Sequence, residues 1–348
     1  MKSFSFGNSV VSKEGPCYVI AEIGHNHQGN LDTALKMIKI AASYGVQAVK
    51  FQKRENKSLY TKAFYNKLYD NENSFGTTYG EHREHLEFGR NEYKKLKKCA
   101  EKNGVEFMAT PFDFKSVDFL KKLGVTCYKT ASGDISNLPL LEYIAKLGKP
   151  MFVSTGASSL EEVRMAYKTI IRFNDKLCLL HCTAAYPAEY HDLNLHVIET
   201  FRREFPKAII GYSGHDNGIL ASILAYMLGA TVVEKHFTMN RSWKGTDHKF
   251  SLEPEGLRKQ VRDLRRVDVS LGDGKKVLRG YEKDARMKMG KGVYASRPLS
   301  AGTTITPDEI CFKTPGSEMP LHLVKKIINK KLKVDLEEES PISLECFK

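Results

Sequence analysis

From about residue 17 to about residue 270 the chain alternates between short apolar runs and longer stretches whose apolar residues recur at helical spacing. Tyr18 to Ala21, Gln47 to Phe51, Val105 to Ala109, Cys127 to Thr130, Met151 to Ser154, Lys176 to His181, Ala208 to Gly211 and Ala230 to Glu234 read as strands. Leu31 to Tyr44 reads as a helix, another is expected near Tyr93, and Glu255 to about Asp268 is the last of the series. Between Arg54 and about Phe88 a polar loop is expected. Eight strand-helix units are the number that closes a parallel barrel. The rival, an open doubly wound sheet, lacks its Gly-x-Gly-x-x-Gly fingerprint after the first strand. Past Leu271-Gly272-Asp273-Gly274 the pattern changes: Gly280 to Lys291 reads as a basic linker, followed by short strands and turns at 292–295, 298–303 and 305–309. This tail of about 60 residues is small for an independent domain and is expected to dock on a barrel, its own or a partner's.

Two of the runs lead into a histidine. Ala208 to His215 and Ala230 to His236 enclose a helical stretch, Ile219 to Leu228, so both imidazoles fall just past the ends of successive strands. In a β/α barrel that is the catalytic rim. Two imidazoles facing one pocket suit a divalent ion; taken singly, each also reads as a polar residue closing a strand. Glu22 follows an apolar strand, where an unpaired carboxylate is costly to bury, and reads as a hydrogen-bonding group or base. The loop after it carries His25 and His27, which fall on one side if extended and rival the first pair as ligands.

Lys50, Lys129 and Lys235 end the second, fourth and eighth strands. A lysine in a barrel mouth holds a phosphate or carboxylate, forms a Schiff base, or pairs with Glu22 or Glu234; Lys235 has the further option of pointing outward. Around them Thr110-Pro111, Thr130 to Asp134, Ser154-Thr155-Gly156 and Gly211 to Gly214 supply hydroxyls and backbone N–H groups, the material of an oxyanion cradle. Asp247, in the turn-forming segment Trp243 to His248, is placed to fold over the mouth, binding substrate hydroxyls or a metal-bound water, or simply to cap a turn.

Composition narrows the class. At 348 residues and 41% hydrophobic, the chain can bury a large core. Its formal charge of +13 is dispersed, as in Lys94-Lys95-Leu96-Lys97-Lys98, rather than gathered into a stripe with stacking aromatics. That argues against nucleic acid and favours capture of a small anion. Seven cysteines, several inside apolar runs, read as a reducing, cytoplasmic setting without a disulfide framework. Cys178 and Cys182 could mimic a metal pair, but their strand context reads as core packing. No run approaches the roughly 18 apolar residues of a membrane span, and no export signal is expected.

The motifs Ile20 to Gly24 with Asn26 to Gly29, Val49 to Lys53, Tyr79 to His82, Tyr128 to Asp134, Cys182 to Pro187, Gly211 to His215 and Glu234 to Thr238, with Asp247, resemble the sialic acid synthases along nearly the whole chain. The resemblance implies a (β/α)8 TIM barrel over 1–272, a linker over 273–287 and a small antifreeze-like (SAF, β-clip) domain over 288–348, exchanged between two chains of a homodimer. It implies condensation of phosphoenolpyruvate with N-acetylmannosamine to N-acetylneuraminate and phosphate. His215 and His236 match the ligands of a divalent ion, Mn2+ or Mg2+, while Glu22, Lys50, Gln52, Thr110, Lys129, Ser132, Ser154, Tyr186, Ser213 and Asp247 match residues lining the substrates. No Schiff base is implied, so the lysines become phosphate and carboxylate clamps. In the bacterial branch a partner-domain arginine reaches the sugar's N-acetyl group; here Phe312-Lys313-Thr314-Pro315 stands in that stretch, and Lys313 is the candidate substitute.

Ser74 to His82 and Trp243-Lys244-Gly245 are similar to the animal branch, whose sugar carries a 6-phosphate, and synthases of legionaminic and pseudaminic acids share the barrel. An N-acylneuraminate-9-phosphate synthase or a legionaminic or pseudaminic acid synthase is therefore the alternative. Other functions compete from further away: a Schiff-base aldolase through Lys129 or Lys50, a synthase of another 3-deoxy sugar acid, and a carbohydrate-binding protein using its small domain.

Overall fold

The computed structural model describes residues 2–347, which form two compact units, one running to Gly272 and the other beginning at Asp273. The first opens with an antiparallel hairpin, β1 (Ser3–Phe6) and β2 (Ser9–Ser12). Eight parallel strands follow: β3 (Tyr18–Gly24), β4 (Ala48–Lys53), β5 (Glu106–Pro111), β6 (Tyr128–Thr130), β7 (Met151–Ser154), β8 (Leu177–Cys182), β9 (Ile209–Gly214) and β10 (Val232–His236). Their order is β5-β4-β3-β10-β9-β8-β7-β6, so the first strand of the sheet pairs with the last and the sheet curls into a nearly closed barrel. A helix follows each strand, at Leu31–Ser43, Arg90–Lys102, Phe114–Leu123, Leu138–Ala145, Leu160–Ile171, Val197–Glu204, Leu220–Met227 and Pro254–Leu271. Several starts are set by the residue before them. Asn30 accepts from the Thr33 amide, Asp113 from that of Ser116, and Ser159 and Glu162 cap each other reciprocally. This is the TIM barrel that the alternating pattern predicts.

Period-two alternation divides each strand between two environments. Outward residues such as Val19, Ala21, Val49, Phe107, Val153, Leu179, Tyr212 and Val233 pack under the helices. Inward residues nearest the strand starts, among them Tyr18, Ile20, Met108, Phe152, Leu180, Ile209 and Val232, fill the barrel with apolar volume. Against that layer the hairpin presents Phe4, Phe6 and Val11, with the rings of Phe4 and Phe6 edge-on to Phe152 at 5.8 and 5.5 Å. The barrel thus has a dry floor, and burial of each such ring contributes on the order of 2 kcal/mol.

Several expectations are corrected. The segment after Arg54 is not one loop: it holds helices at Asn56–Leu59, Lys62–Tyr65 and Tyr79–Leu86. The last is nucleated by a Thr78/Glu81 capping box, yet it buries only Gly80, His82 and Leu86, so its apolar periodicity is faint. The stretch read as a basic linker contains a turn at Gly280–Glu282 and a helix at Lys283–Met289. In the second unit, β11 (Gly292–Ala295) pairs antiparallel with β12 (Ile310–Lys313); 298–303 is a turn with a single antiparallel bridge from Leu299 to Leu336, and 305–309 ends in a 3-10 turn at Pro307–Glu309. Val293, Ala295, Leu299, Ile305, Met319, Ile327, Leu332 and Ile342 give this unit its own core. All seven cysteines are free. Among the described residues no helix is long and apolar enough to cross a membrane.

Candidate active site

Above the apolar floor the inward positions of the same strands change character. Continuing in steps of two, Ile20 gives way to Glu22, Ala48 to Lys50 and Gln52, Met108 to Thr110, Cys127 to Lys129, Phe152 to Ser154, Leu180 to Cys182, Gly211 to Ser213, and Val232 to Glu234 and His236. Most of these side chains line a cavity of about 610 Å³ at the C-terminal ends of the strands, closed at its rim by Ser132, Tyr186, His215 and Asp247. Of the residues that the family resemblance assigns to substrate or metal, all but Lys313 line this one cavity. Lys313 is on β12 in the second unit, where its ammonium pairs with Glu339.

At the centre lie two lysines and two carboxylates. Lys50 Nζ is 2.7 Å from Glu22 Oε2 and 3.6 Å from Glu234 Oε1, and Lys129 Nζ is 3.9 Å from the same Glu234 oxygen. Thr110 accepts from Lys50 at 3.1 Å, Ser154 accepts from Lys129, and Ser213 donates to Glu234 at 3.0 Å. Burial pushes the Glu22 carboxyl above its usual value, with Glu234 adding to this and Lys50 only partly offsetting it. For Lys50 burial works downward, but its two carboxylate neighbours outweigh it and the ammonium is held above the usual lysine value. For Lys129 burial outweighs the opposing pull of Glu234, Lys50 adds to it, and the ammonium falls below that value. Glu234 resists its own burial because Lys129 and Lys50 face it, and stays ionised. Gly24, at φ +53°, leaves room for this group: a Cβ there would lie 3.1 Å from both Glu22 and Gln52. Gln52 uses that space to donate to Glu22 at 2.8 Å.

Across the mouth the His215 and His236 rings have centroids 5.4 Å apart. His215 Nδ1 is 2.9 Å from the Thr183 carbonyl, which can only accept, so Nδ1 donates there and Nε2 is the nitrogen left for a ligand. A backbone acceptor behind a histidine is the usual way of orienting a metal ligand. His236 Nδ1 is buried without a hydrogen-bond partner, 3.7 Å from Asp247 Oδ2. Burial lowers the His236 pKa to about 4, Asp247 notwithstanding, so the His236 ring is neutral near pH 7. Asp247, despite its burial, is held below the usual carboxylate range by His236, the Thr246 hydroxyl, His25 and Arg83. Among the described residues no group of three or more His, Cys, Asp or Glu side chains forms a metal cage. What the mouth does supply is two imidazoles side by side, a donor set that fits an open site with water or substrate oxygen as the remaining ligands. Phe250 walls both rings, at 5.6 and 5.0 Å, and Tyr186 lies 4.3 Å from His215.

His25 and His27 are not rival ligands. Their loop is a series of turns rather than an extended segment. His27 stacks on Phe88 at 4.3 Å, and His25 sits between Arg54, 3.3 Å from its Nε2, and Arg83, 3.4 Å from its Nδ1. Burial and these guanidinium groups hold His25 well below the usual histidine value. Lys235 is likewise turned away from the cavity and is fully buried.

Glu234, one of the two carboxylates offered as lysine partners, does pair with Lys50 and Lys129, and the step of two from Val232 to His236 marks it as inward. Two lining arginines were passed over in the sequence. Arg54 and Arg83 form one wall of the cavity, Arg54 stacked on Phe112 at 3.6 Å, and neither guanidinium is within ion-pair distance of a carboxylate among the described residues. Arg54 is one residue past the end of β4, which is the signal that could have revealed it.

Residues 37–276 match the NeuB family and residues 290–348 the SAF domain. Human N-acetylneuraminate-9-phosphate synthase is 40% identical, over 95% of this chain and 93% of that protein. The N,N'-diacetyllegionaminic acid synthase of Legionella pneumophila is 36% identical, over 92% and 91%. A solved structure of N-acetylneuraminic acid synthetase from Leptospira borgpetersenii, in complex with citrate, has a TM-score of 0.70 at 34% identity, covering 81% of this chain and 94% of that one.

Proposed function

Because the chain belongs to the NeuB family of sialic acid synthases, we propose that it condenses phosphoenolpyruvate with the open-chain form of N-acetylmannosamine, giving N-acetylneuraminate and phosphate. The observation that carries this reading is that a lysine and hydroxyl cradle and a pair of adjacent histidines share one cavity. Lys50, Lys129, Thr110, Ser132, Ser154 and Ser213 hold the carboxylate and phosphate of phosphoenolpyruvate, displacing the internal partners Glu22 and Glu234 as they do so. His215 and His236 hold a divalent ion, Mn2+ or Mg2+, which supplies Lewis-acid polarisation of an aldehyde oxygen when bound.

C3 of phosphoenolpyruvate attacks the aldehyde carbon, leaving positive character at C2. Water adds at C2, positioned by Glu22 and Gln52, with Glu22 taking its proton and passing it to the new alkoxide. The C–O bond to phosphate then breaks, the C2 hydroxyl yields its proton to the departing phosphate, and the 2-keto acid is released. Asp247 and Tyr186, at the rim beside the histidines, meet the sugar hydroxyls. Lys313 takes the N-acetyl contact in the working homodimer, whose mass light scattering would give.

A second acceptor, the 6-phosphate of the same sugar, is favoured by Arg54 and Arg83, two cavity-facing guanidiniums without carboxylate partners. One experiment separates the two: phosphate release from phosphoenolpyruvate with a panel of N-acetylated hexosamines and their 6-phosphates, with and without Mn2+. Metal-dependent release with N-acetylmannosamine is expected. Release with the 6-phosphate alone selects the second acceptor, and release with neither, or unchanged after chelation, overturns the proposal.

A further inference from the structure

Lys235 and Asp216 have no part in the chemistry above, yet they form a fully buried ion pair, with Nζ 2.7 Å from Oδ1 and both side chains wholly shielded from solvent. Alternation along β10 sends Glu234 and His236 into the cavity and Lys235 the other way, into the apolar layer under the helices. There its ammonium also donates to the Asp216 carbonyl, and the Tyr212 hydroxyl donates to Asp216 Oδ1 at 2.8 Å. Gly214 makes the room: a Cβ on it would lie 2.5 Å from the Tyr212 ring and 2.6 Å from Asp216 Oδ1.

A buried ion pair is no better for stability than apolar residues of the same volume, and Val233, with the same outward orientation two residues earlier, is apolar. What the pair adds is geometry. The backbone ladder between β9 and β10 ends at Gly214 and Lys235, one residue short of each histidine. The side-chain tie begins where the ladder stops, joining the residue after His215 to the residue before His236.

We propose that Lys235, Asp216 and Tyr212 are positioning residues that fix the separation of the His215 and His236 rings for a divalent ion, an inference that rests on the metal reading above. The test is binding of Mn2+ alone to the full chain, without substrates, by calorimetry or by the paramagnetic resonance of free Mn2+, with thermal unfolding recorded in parallel. His236→Ala is the control and is expected to lose binding. The double variant Lys235→Met with Asp216→Asn leaves no unpaired charge; it is expected to fold and to bind Mn2+ about tenfold or more weakly. Tyr212→Phe keeps the ion pair and is expected to weaken binding about fivefold. If the double variant does not fold, Tyr212→Phe decides. Native affinity in the folded variants overturns the positioning role while leaving the metal reading intact. Absence of binding by the native protein, or undiminished binding by His236→Ala, overturns the metal reading and this inference with it.

Discussion

The two ends of the barrel interior are built by the same eight strands and have opposite chemistry. At the floor Tyr18, Ile20, Phe152 and Val232 meet the aromatic hairpin and exclude water; one or two steps along the same strands stand Glu22, Ser154, Glu234 and His236. Stability is concentrated below and reactivity above, and the change takes about two residues, some 7 Å of strand. The rigid apolar layer also explains how four buried charges can be kept: they are anchored on strands already fixed from beneath, so mutual pairing rather than mobility compensates their lost hydration.

The comparison is broken most severely if a mouth substitution unfolds the protein. His215→Ala and His236→Ala are expected to reduce kcat/KM about a thousandfold or more, about 4 kcal/mol of transition-state stabilisation, with the thermal midpoint nearly unchanged. Native turnover in either variant would remove the ligand role. The converse at the floor is Phe152→Ala, expected to cost about 3 kcal/mol in denaturant unfolding while KM below the transition stays as it was. A folded Phe152→Ala enzyme with altered KM would mean that floor and mouth are not separable. Ser154→Ala removes one hydroxyl of the cradle and should raise KM for phosphoenolpyruvate about tenfold without a change in stability.

The mildest test is pH. Lys129 is held below the usual lysine value of 10.5, by burial first and Lys50 beside it, whereas Lys50 is raised. A cradle that needs both charges therefore loses one as pH rises toward the usual lysine range, and kcat/KM should decline there through Lys129. A profile flat to pH 10.5 would contradict this assignment.

The eight strands were legible because each is, or borders on, a short apolar run set off from stretches of helical spacing, and the two histidines because each follows such a run. What stayed hidden has a common cause: side chains whose significance depends on direction. A strand buried on both faces shows no polar alternation, so nothing in Val232-Val233-Glu234-Lys235-His236 alone says that Glu234 faces Lys50 while Lys235 faces Asp216. The His25 and His27 reading failed on backbone conformation, since turns replaced the extended loop that would have aligned them. The hairpin escaped notice because its strands are only four residues long, although Phe4, Phe6 and Val11 already mark its buried face. Arg54 and Arg83 come from segments far apart in sequence, and only the folded chain brings them to one wall.

The hairpin has a consequence for synthesis of the chain. Phe4 and Phe6 are made before the ring they lean on, Phe152, which belongs to β7 and follows roughly 150 residues later. At ribosomal speeds of roughly 5–20 residues per second, the hairpin waits about 7–30 seconds for that partner. The partner available to it in that interval is Tyr18 at the start of β3, whose ring lies 5.8 Å from that of Phe6 in the finished barrel.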